Sequence, residues 1–233
     1  MKRDSYPAKS KEHIVVAFQT VGYISVLVAR YLEEKGIIKD LFGINIEDLE
    51  EFAMIRKGEI VNPIRVLEGS NFLVVTSHFP LPRSAANKIV DKIFDMYKSY
   101  GARDIIIIEG LPIEEGREKS SVYYASNMDD EIPKKTKKLE EGAMIGLNAS
   151  MAIRGRRKKI PVRTLMVETH ENIPDGEAAA QLIDSLSDMI NIKVDTAELI
   201  SEYKKTLAKI NELIKQVQAP RKDDGQEQQE MYV

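Results

Sequence analysis

The 233-residue sequence contains no cysteine and no tryptophan. Without thiols the chain can build neither a disulfide framework nor a thiolate zinc site, which removes the commonest secreted and zinc-finger classes. An excess of charge of either sign is missing too: 34 Lys and Arg face 37 Asp and Glu, for a net charge of -3. No overall field therefore draws the molecule to nucleic acid or to anionic lipid, and neither is expected as a partner. Residues 1–11 are polar, include Pro7 and lack the apolar run of a signal peptide, so the cytoplasm is the default compartment. A phosphate loop ending in Gly-Lys-Ser/Thr, a nucleophile elbow and a metal-ligand cluster are also absent, and no cofactor or metal is expected.

What is present is 43% hydrophobic and 30% charged residues, enough for one packed α/β domain with an appendage under a charged surface. Strand-like runs alternate with helical periodicity, the pattern of a sheet covered by helices. His13 to Phe18 reads as a buried strand. After a turn at Gly22, Ile24, Leu27, Val28, Tyr31 and Leu32 recur at helical spacing, with Gly36 placed to close the helix. Leu41 to Ile46 reads as a short strand, and Ile60 to Leu67, interrupted by Pro63, as an edge strand or hairpin arm. Asn71 to Ser77 is a further strand; Ser84 is placed to cap a helix with the stripe Ile89, Val90, Ile93, Phe94 and Tyr97, ending near Gly101. Ile105 to Glu109 and Arg163 to Glu168 are buried strands. Between them, Leu111 to Lys138 is a charged excursion with a possible strand at Ser121 to Ser126, and Gly142 to Ile153 is a small-residue helix.

Asp175 is placed to cap a helix whose apolar face is Leu182, Ile183, Leu186, Met189 and Ile190. A different signal comes next. Asp195 and Glu198 have capping-box spacing, and Ile200, Tyr203, Leu207, Ile210, Ile214 and Val217 succeed them at spacings of three and four, a heptad seam. Such a seam packs either on its own domain or on a neighbouring protomer, and Leu199 and Leu213 widen the stripe enough for both. Pro220 ends the helix. Residues 219–230 are polar and cannot bury enough apolar area to order themselves, yet the sequence closes on Met231-Tyr232-Val233. Apolar residues at a terminus arise by chance, or they enter a pocket while a terminal carboxylate is captured by donors.

Candidate acids and bases are His78, Glu109, Glu168, His170 and Asp175, all at or after strand ends where open α/β sheets bind ligands. No second catalytic signal accompanies them. The cluster Arg154-Gly155-Arg156-Arg157-Lys158-Lys159 lacks the aromatic residues of a single-strand nucleic-acid site and reads as a solvated loop or a protein-binding rim.

The stretch Glu168-Thr169-His170-Glu171-Asn172-Ile173-Pro174-Asp175-Gly176-Glu177-Ala178-Ala179, followed by Ile192-Lys193-Val194-Asp195 and Leu199, resembles the carboxy-terminal part of the proteasome assembly chaperone family. With the Gly22 turn and the segment Gly142 to Gly146, the resemblance spans Ile14 to Val217, and is to archaeal homologues of the type called homologue B. The usual Pro-Asp-Pro appears here as Pro174-Asp175-Gly176. The resemblance implies a mostly parallel sheet flanked by helices, with a topology similar to nucleoside phosphorylases, homo-oligomerisation and binding to the proteasome core particle. Met231-Tyr232-Val233 is similar to the hydrophobic-Tyr-X motif by which proteasome activators insert their tails between outer-ring subunits.

These readings divide the chain into a flexible amino terminus (1–11), an α/β body (12–194), an oligomerisation helix (195–218) and a disordered, mobile tail with a docking tripeptide (219–233). They predict an ATP-independent, non-enzymatic binding protein of the proteasome outer ring. An enzyme on a phosphorylase-like fold and a generic oligomeric scaffold are the alternatives.

Overall fold

The computed structural model describes residues 10–19, 21–46, 53–56, 58–113, 120–170 and 174–205. Strand β1, His13–Phe18, is buried at all six positions and lies near the middle of an eight-stranded sheet. Two strand-helix units supply its parallel neighbours. After β1 come helix α1 (Ile24–Glu34) and strand β2 (Lys39–Gly43). A short hairpin, β3 (Met54–Arg56) with β4 (Glu59–Val61), forms a separate two-stranded sheet. Then come β5 (Ile64–Glu68), β6 (Phe72–Ser77), α2 (Ala86–Tyr100) and β7 (Asp104–Pro112). The chain continues through β8 (Val122–Ser126), β9 (Lys137–Lys138), α3 (Gly146–Lys158), β10 (Val162–Thr169) and α4 (Gly176–Ile190).

The order across the sheet is β2-β5-β6-β1-β7-β10-β8-β9. β6, β1, β7 and β10 run parallel, while β5 and β8 join antiparallel on either side of them. Side chains alternate between two cores. Val15, Ala17, Ile106 and Ile108 pack under α1 and α4, whereas Ile14, Val16, Ile105 and Ile107 pack under α2 and α3. This is the expected mostly parallel α/β sheet flanked by helices. Among the described residues no helix is long and apolar enough to cross a membrane.

Several local expectations are corrected. The second strand is Lys39–Gly43 rather than Leu41 to Ile46; Ile44 and Ile46 are buried beyond its end. The Ile60 to Leu67 run is not one edge strand; the hairpin-arm reading holds for its first part, which is β4 of the β3–β4 hairpin. Pro63, which has no N–H to give to a ladder, separates β4 from β5, and β5 then enters the sheet between β2 and β6. Ser84 does not cap α2: it lies inside a 3₁₀ turn, Arg83–Ala85, and α2 starts from Ala85 without a side-chain cap, though it ends as expected at Gly101 in the left-handed region (φ 64°). Lys11, assigned to the flexible terminus, is buried; its Nζ donates to the Gly69 carbonyl (2.7 Å) and pairs with Glu68 (2.8 Å).

The carboxyl edge of the parallel strands is closed by the turn that enters α1. Gly22 has φ 65°, a conformation that side chains other than glycine rarely adopt. The turn lies so close to β7 that a Cβ on Gly110 would stand 2.2 Å from the Val21 carbonyl oxygen. Ser25, at the start of α1, donates to the Ile108 carbonyl (2.7 Å) and fixes the same approach. Replacing Gly110→Ala therefore forces the turn off the sheet, and a loss of about 1–3 kcal/mol is expected in urea unfolding. An unchanged midpoint would show that the turn moves freely and does not hold the edge.

Candidate functional site

The region with the most specific long-range construction is the root of the carboxy-terminal helix, where helical turns over 197–205 leave the body. α4 starts with Asp175 at the N-cap, its Oδ1 accepting from the Ala178 N–H (3.0 Å), as the sequence predicts. The buried Oδ2 side of the same carboxylate takes His170 Nδ1 at 3.2 Å. Gly176 is next in the chain, and it is where Tyr203 rests: a Cβ at 176 would stand 2.5 Å from Tyr203 Cβ and 3.3 Å from the Leu199 carbonyl oxygen. The departure from the usual Pro-Asp-Pro thus has a physical use, because a proline there would occupy the space of the tyrosine.

Polar contacts complete the seat. Tyr31 on α1 donates to the Asp195 carbonyl (2.7 Å), Lys35 pairs with Glu198, and Lys204 pairs with Glu177 at 3.2 Å. Burial, with Asp175 and Glu177 nearby, pushes the Tyr203 phenol up to about 12, so its hydroxyl stays neutral at physiological pH. The predicted capping box does not form: the helix starts after Thr196, whose carbonyl accepts from the Ile200 N–H (3.2 Å). Asp195 Oδ1 accepts from the Ala197 N–H (3.0 Å), but Glu198 is drawn to Lys35 instead of turning back to the helix start.

Of the seam residues, Ile200 is half-buried against the core shared by α1 and α4, Tyr203 is half-buried against Gly176, and Leu199 is buried. The first turn of the helix is thus packed on its own domain. Leu207, Ile210, Ile214 and Val217 lie outside the described residues, as do Met231, Tyr232 and Val233. Sequence reasoning missed Tyr31, Lys35 and Gly176 as the seat, since only the fold brings them to the helix. The i, i+4 spacing of Tyr31, buried on α1, and Lys35, just past its end, was the available signal.

The candidate acids and bases do not form one constellation. His170 and Asp175 meet, but that carboxylate is occupied in capping α4. Glu168 accepts from the Ser121 N–H (2.9 Å) and the Tyr123 hydroxyl (3.1 Å), tying β8 to β10. Burial, together with Arg65 and Arg56, lowers the His78 pKa and favours its neutral form. Glu109 is held apart from these, beside Asn148 of α3. Among the described residues no group of three or more His, Asp or Glu is placed to hold a metal.

The basic cluster occupies the last turns of α3, where positive charge suits the helix dipole. Arg154 is taken up internally: it donates to the Asn87 carbonyl (3.1 Å), pairs with Asp91 and lies over the Phe94 ring. Arg156, Arg157, Lys158 and Lys159 remain exposed.

Comparison with known proteins agrees with this architecture. An uncharacterized protein of Methanocaldococcus jannaschii is 20% identical over 213 residues, covering 91% of this chain and 84% of that protein. The fold is similar to Pyrococcus furiosus PbaA, an archaeal homolog of proteasome-assembly chaperone, with a TM-score of 0.82 at 19% identity over 91% of each chain. It is also similar to Pyrococcus furiosus PbaB, an archaeal proteasome activator, with a TM-score of 0.75 at 17% identity over 90% of this chain and 96% of that one. The PAC2 family pattern matches residues 14–214, so the match takes in the sheet, both helical layers and the root of the carboxy-terminal helix. The chain belongs to the PAC2 family.

Proposed function

We propose that this protein is an ATP-independent, non-enzymatic chaperone or activator that binds the proteasome core particle by docking Met231-Tyr232-Val233 on its outer ring. The observation that carries the proposal is the pairing of a PAC2 body, similar to proteins named for proteasome assembly and activation, with a hydrophobic-Tyr-X sequence at residues 231–233. Tyr232 supplies a rigid ring and one oriented hydroxyl, Met231 an adaptable apolar contact and Val233 the carboxylate. A cytoplasmic location follows from such a partner.

The geometry of the root supports this reading. Gly176, Tyr31 and Lys35 fix the line along which the helix leaves the body, while the polar residues 219–230 give the tripeptide reach. Twelve residues span about 40 Å fully extended and roughly 20 Å as a flexible coil. Tails displayed by one homo-oligomer act together, because the second insertion is intramolecular once the first has formed. Ile200, Tyr203, Leu207, Ile210, Ile214 and Val217 are the proposed oligomerisation residues; Ile200 and Tyr203, each half-buried on the body, would offer only their remaining surface to a neighbouring protomer, and Leu199 is spent on the body.

Removing Met231-Tyr232-Val233, or replacing Tyr232→Ala, should reduce affinity for the isolated core particle by more than tenfold, above about 1.4 kcal/mol, without changing the unfolding midpoint. One extra residue after Val233 should weaken docking nearly as much by displacing the carboxylate. Surface binding measurements decide it: affinity untouched by all three changes would make the body the binding element. Replacing Leu207 and Ile210 by Glu should force charge into the seam and lower the oligomer mass seen by light scattering. A wild-type monomer throughout the micromolar range would overturn the oligomer.

A further inference from the structure

The basic run that ends α3 is left without partners. Arg156, Arg157, Lys158 and Lys159 are exposed, and none of them pairs with an acid among the described residues. Arg154 on the same helix shows the contrast, since it meets Asn87, Asp91 and the Phe94 ring. Part of the run has a local explanation: cations in the last turn of a helix are favoured by its dipole. Against that, neighbouring like charges repel one another. Lys159 adds a conformational cost. It closes the helix in the left-handed region (φ 56°), the position that glycine fills with least strain. A lysine there extends the charge where the backbone would favour ending it.

Towards its other end the solvent side of the same helix is apolar. Ile145, the N-cap, is 79% exposed and Ile153 is 54% exposed. With the half-buried Ala149 between them they recur every four residues, and Arg156 continues the row three residues on, so all lie along one stripe. From Ile145 to Lys159 the stripe is about 20 Å long. The opposite side of α3 is committed to the core through Met151 and Gly155, where a Cβ would stand 2.5 Å from Val162 Cγ2. Together with Arg154 on α2, that close approach holds the helix in place, so the stripe is presented without reordering.

We infer that the solvent face of α3 is a docking surface for an acidic amphipathic segment of a partner protein, whose apolar side chains cover Ile145 and Ile153 and whose carboxylates meet the basic run. The inference stands apart from tail docking, since it uses no residue beyond α3 and its caps. Charge complementarity selects the acid, and the isoleucines select a protein. Aliphatic side chains cannot stack on bases, and α3 holds no aromatic residue of the kind that a single-stranded nucleic acid needs. Isoleucines at one end and cations at the other do not make the parallel apolar and basic faces by which a helix lies in a lipid surface. α3 carries no acidic residue, so a second copy laid helix against helix leaves its cations unanswered.

The two halves of the surface act differently. The cations attract an acidic segment over a Debye length, about 8 Å at physiological ionic strength, and make the encounter sensitive to salt. Ile145 and Ile153 bury apolar area only once the segment is seated, so they set its register and slow its departure.

The test titrates the full chain, by fluorescence anisotropy, with a labelled helical peptide of about 20 residues that bears leucines at i, i+4 and i+8 and a glutamate cluster in the turn beyond them. Binding should weaken about tenfold as salt rises from about 0.05 to about 0.5 M. Arg156→Ala with Arg157→Ala should lower the affinity about tenfold and flatten that salt dependence. Ile145→Ser with Ile153→Ser should lower it as much and leave the salt dependence unchanged. Serine is a favoured N-cap, so a loss of binding in the second pair is not a loss of the helix. If a variant does not fold, peptides with serine for leucine or glutamine for glutamate decide against the wild-type chain, and each should lose the same binding. Affinity untouched by these changes would overturn the proposal, as would equal binding of the serine peptide, which would leave charge attraction alone. Tighter binding of an oligo-dT strand, or of phosphatidylserine–phosphatidylcholine vesicles, through the same residues would overturn it in favour of nucleic acid or lipid. A wild-type mass in light scattering that falls on Ile145→Ser with Ile153→Ser would assign the face to a second copy instead.

Discussion

Strands β6, β1, β7 and β10 bury side chains on both faces, so neither side of the sheet can be left to water. The two helical layers are the direct consequence, and so is the displacement of polar groups to the strand ends. At the amino-terminal edge His13 meets Asp104 at 2.8 Å, and Arg163 joins Asp104 to Asp130. At the carboxyl edge Glu168 organises β8 and Asp175 starts α4. Each group serves to join one strand end to the element beside it.

The same edge accounts for the placing of the carboxy-terminal helix. α1 and α4 cover one face together, and their exposed sides form the platform on which residues 197–205 lie. Gly176 is the narrow point of that platform. A body built in this way gives the helix a defined departure from the seat that Gly176, Tyr31 and Lys35 form.

Strands and helices with one dominant burial pattern were legible in the sequence. His13 to Phe18 and Ile105 to Glu109 announce themselves through unbroken runs of apolar, mostly β-branched side chains, and α4 through its stripe and its Asp175 cap. Readings failed where a residue had two physically acceptable roles. Pro63 suits an edge strand, but it also suits the break between a hairpin and an interior strand, and only pairing with β2 and β6 distinguishes these. Glu198 suits a capping box until Lys35 is brought beside it by the packing of α1.

The β3–β4 hairpin is attached to the body through charge, and that mode of attachment makes its hold depend on the solvent. Glu33 on α1 accepts from Arg56 of the hairpin at 2.7 and 2.8 Å and from Arg65 of β5 at 3.0 Å, and Arg65 also pairs with Asp40 of β2 at 2.9 Å. Burial raises the Glu33 pKa, but the two arginines outweigh it and hold the carboxylate ionised. The side chain of Arg65 is 2% exposed and that of Arg56 is 31% exposed. Dissolved ions screen exposed charges far more than buried ones. Rising ionic strength therefore acts on this network from its outer end, loosening the hairpin from α1 while Arg65 still binds the sheet; heat acts differently, because the cost of dehydrating the paired charges falls with temperature.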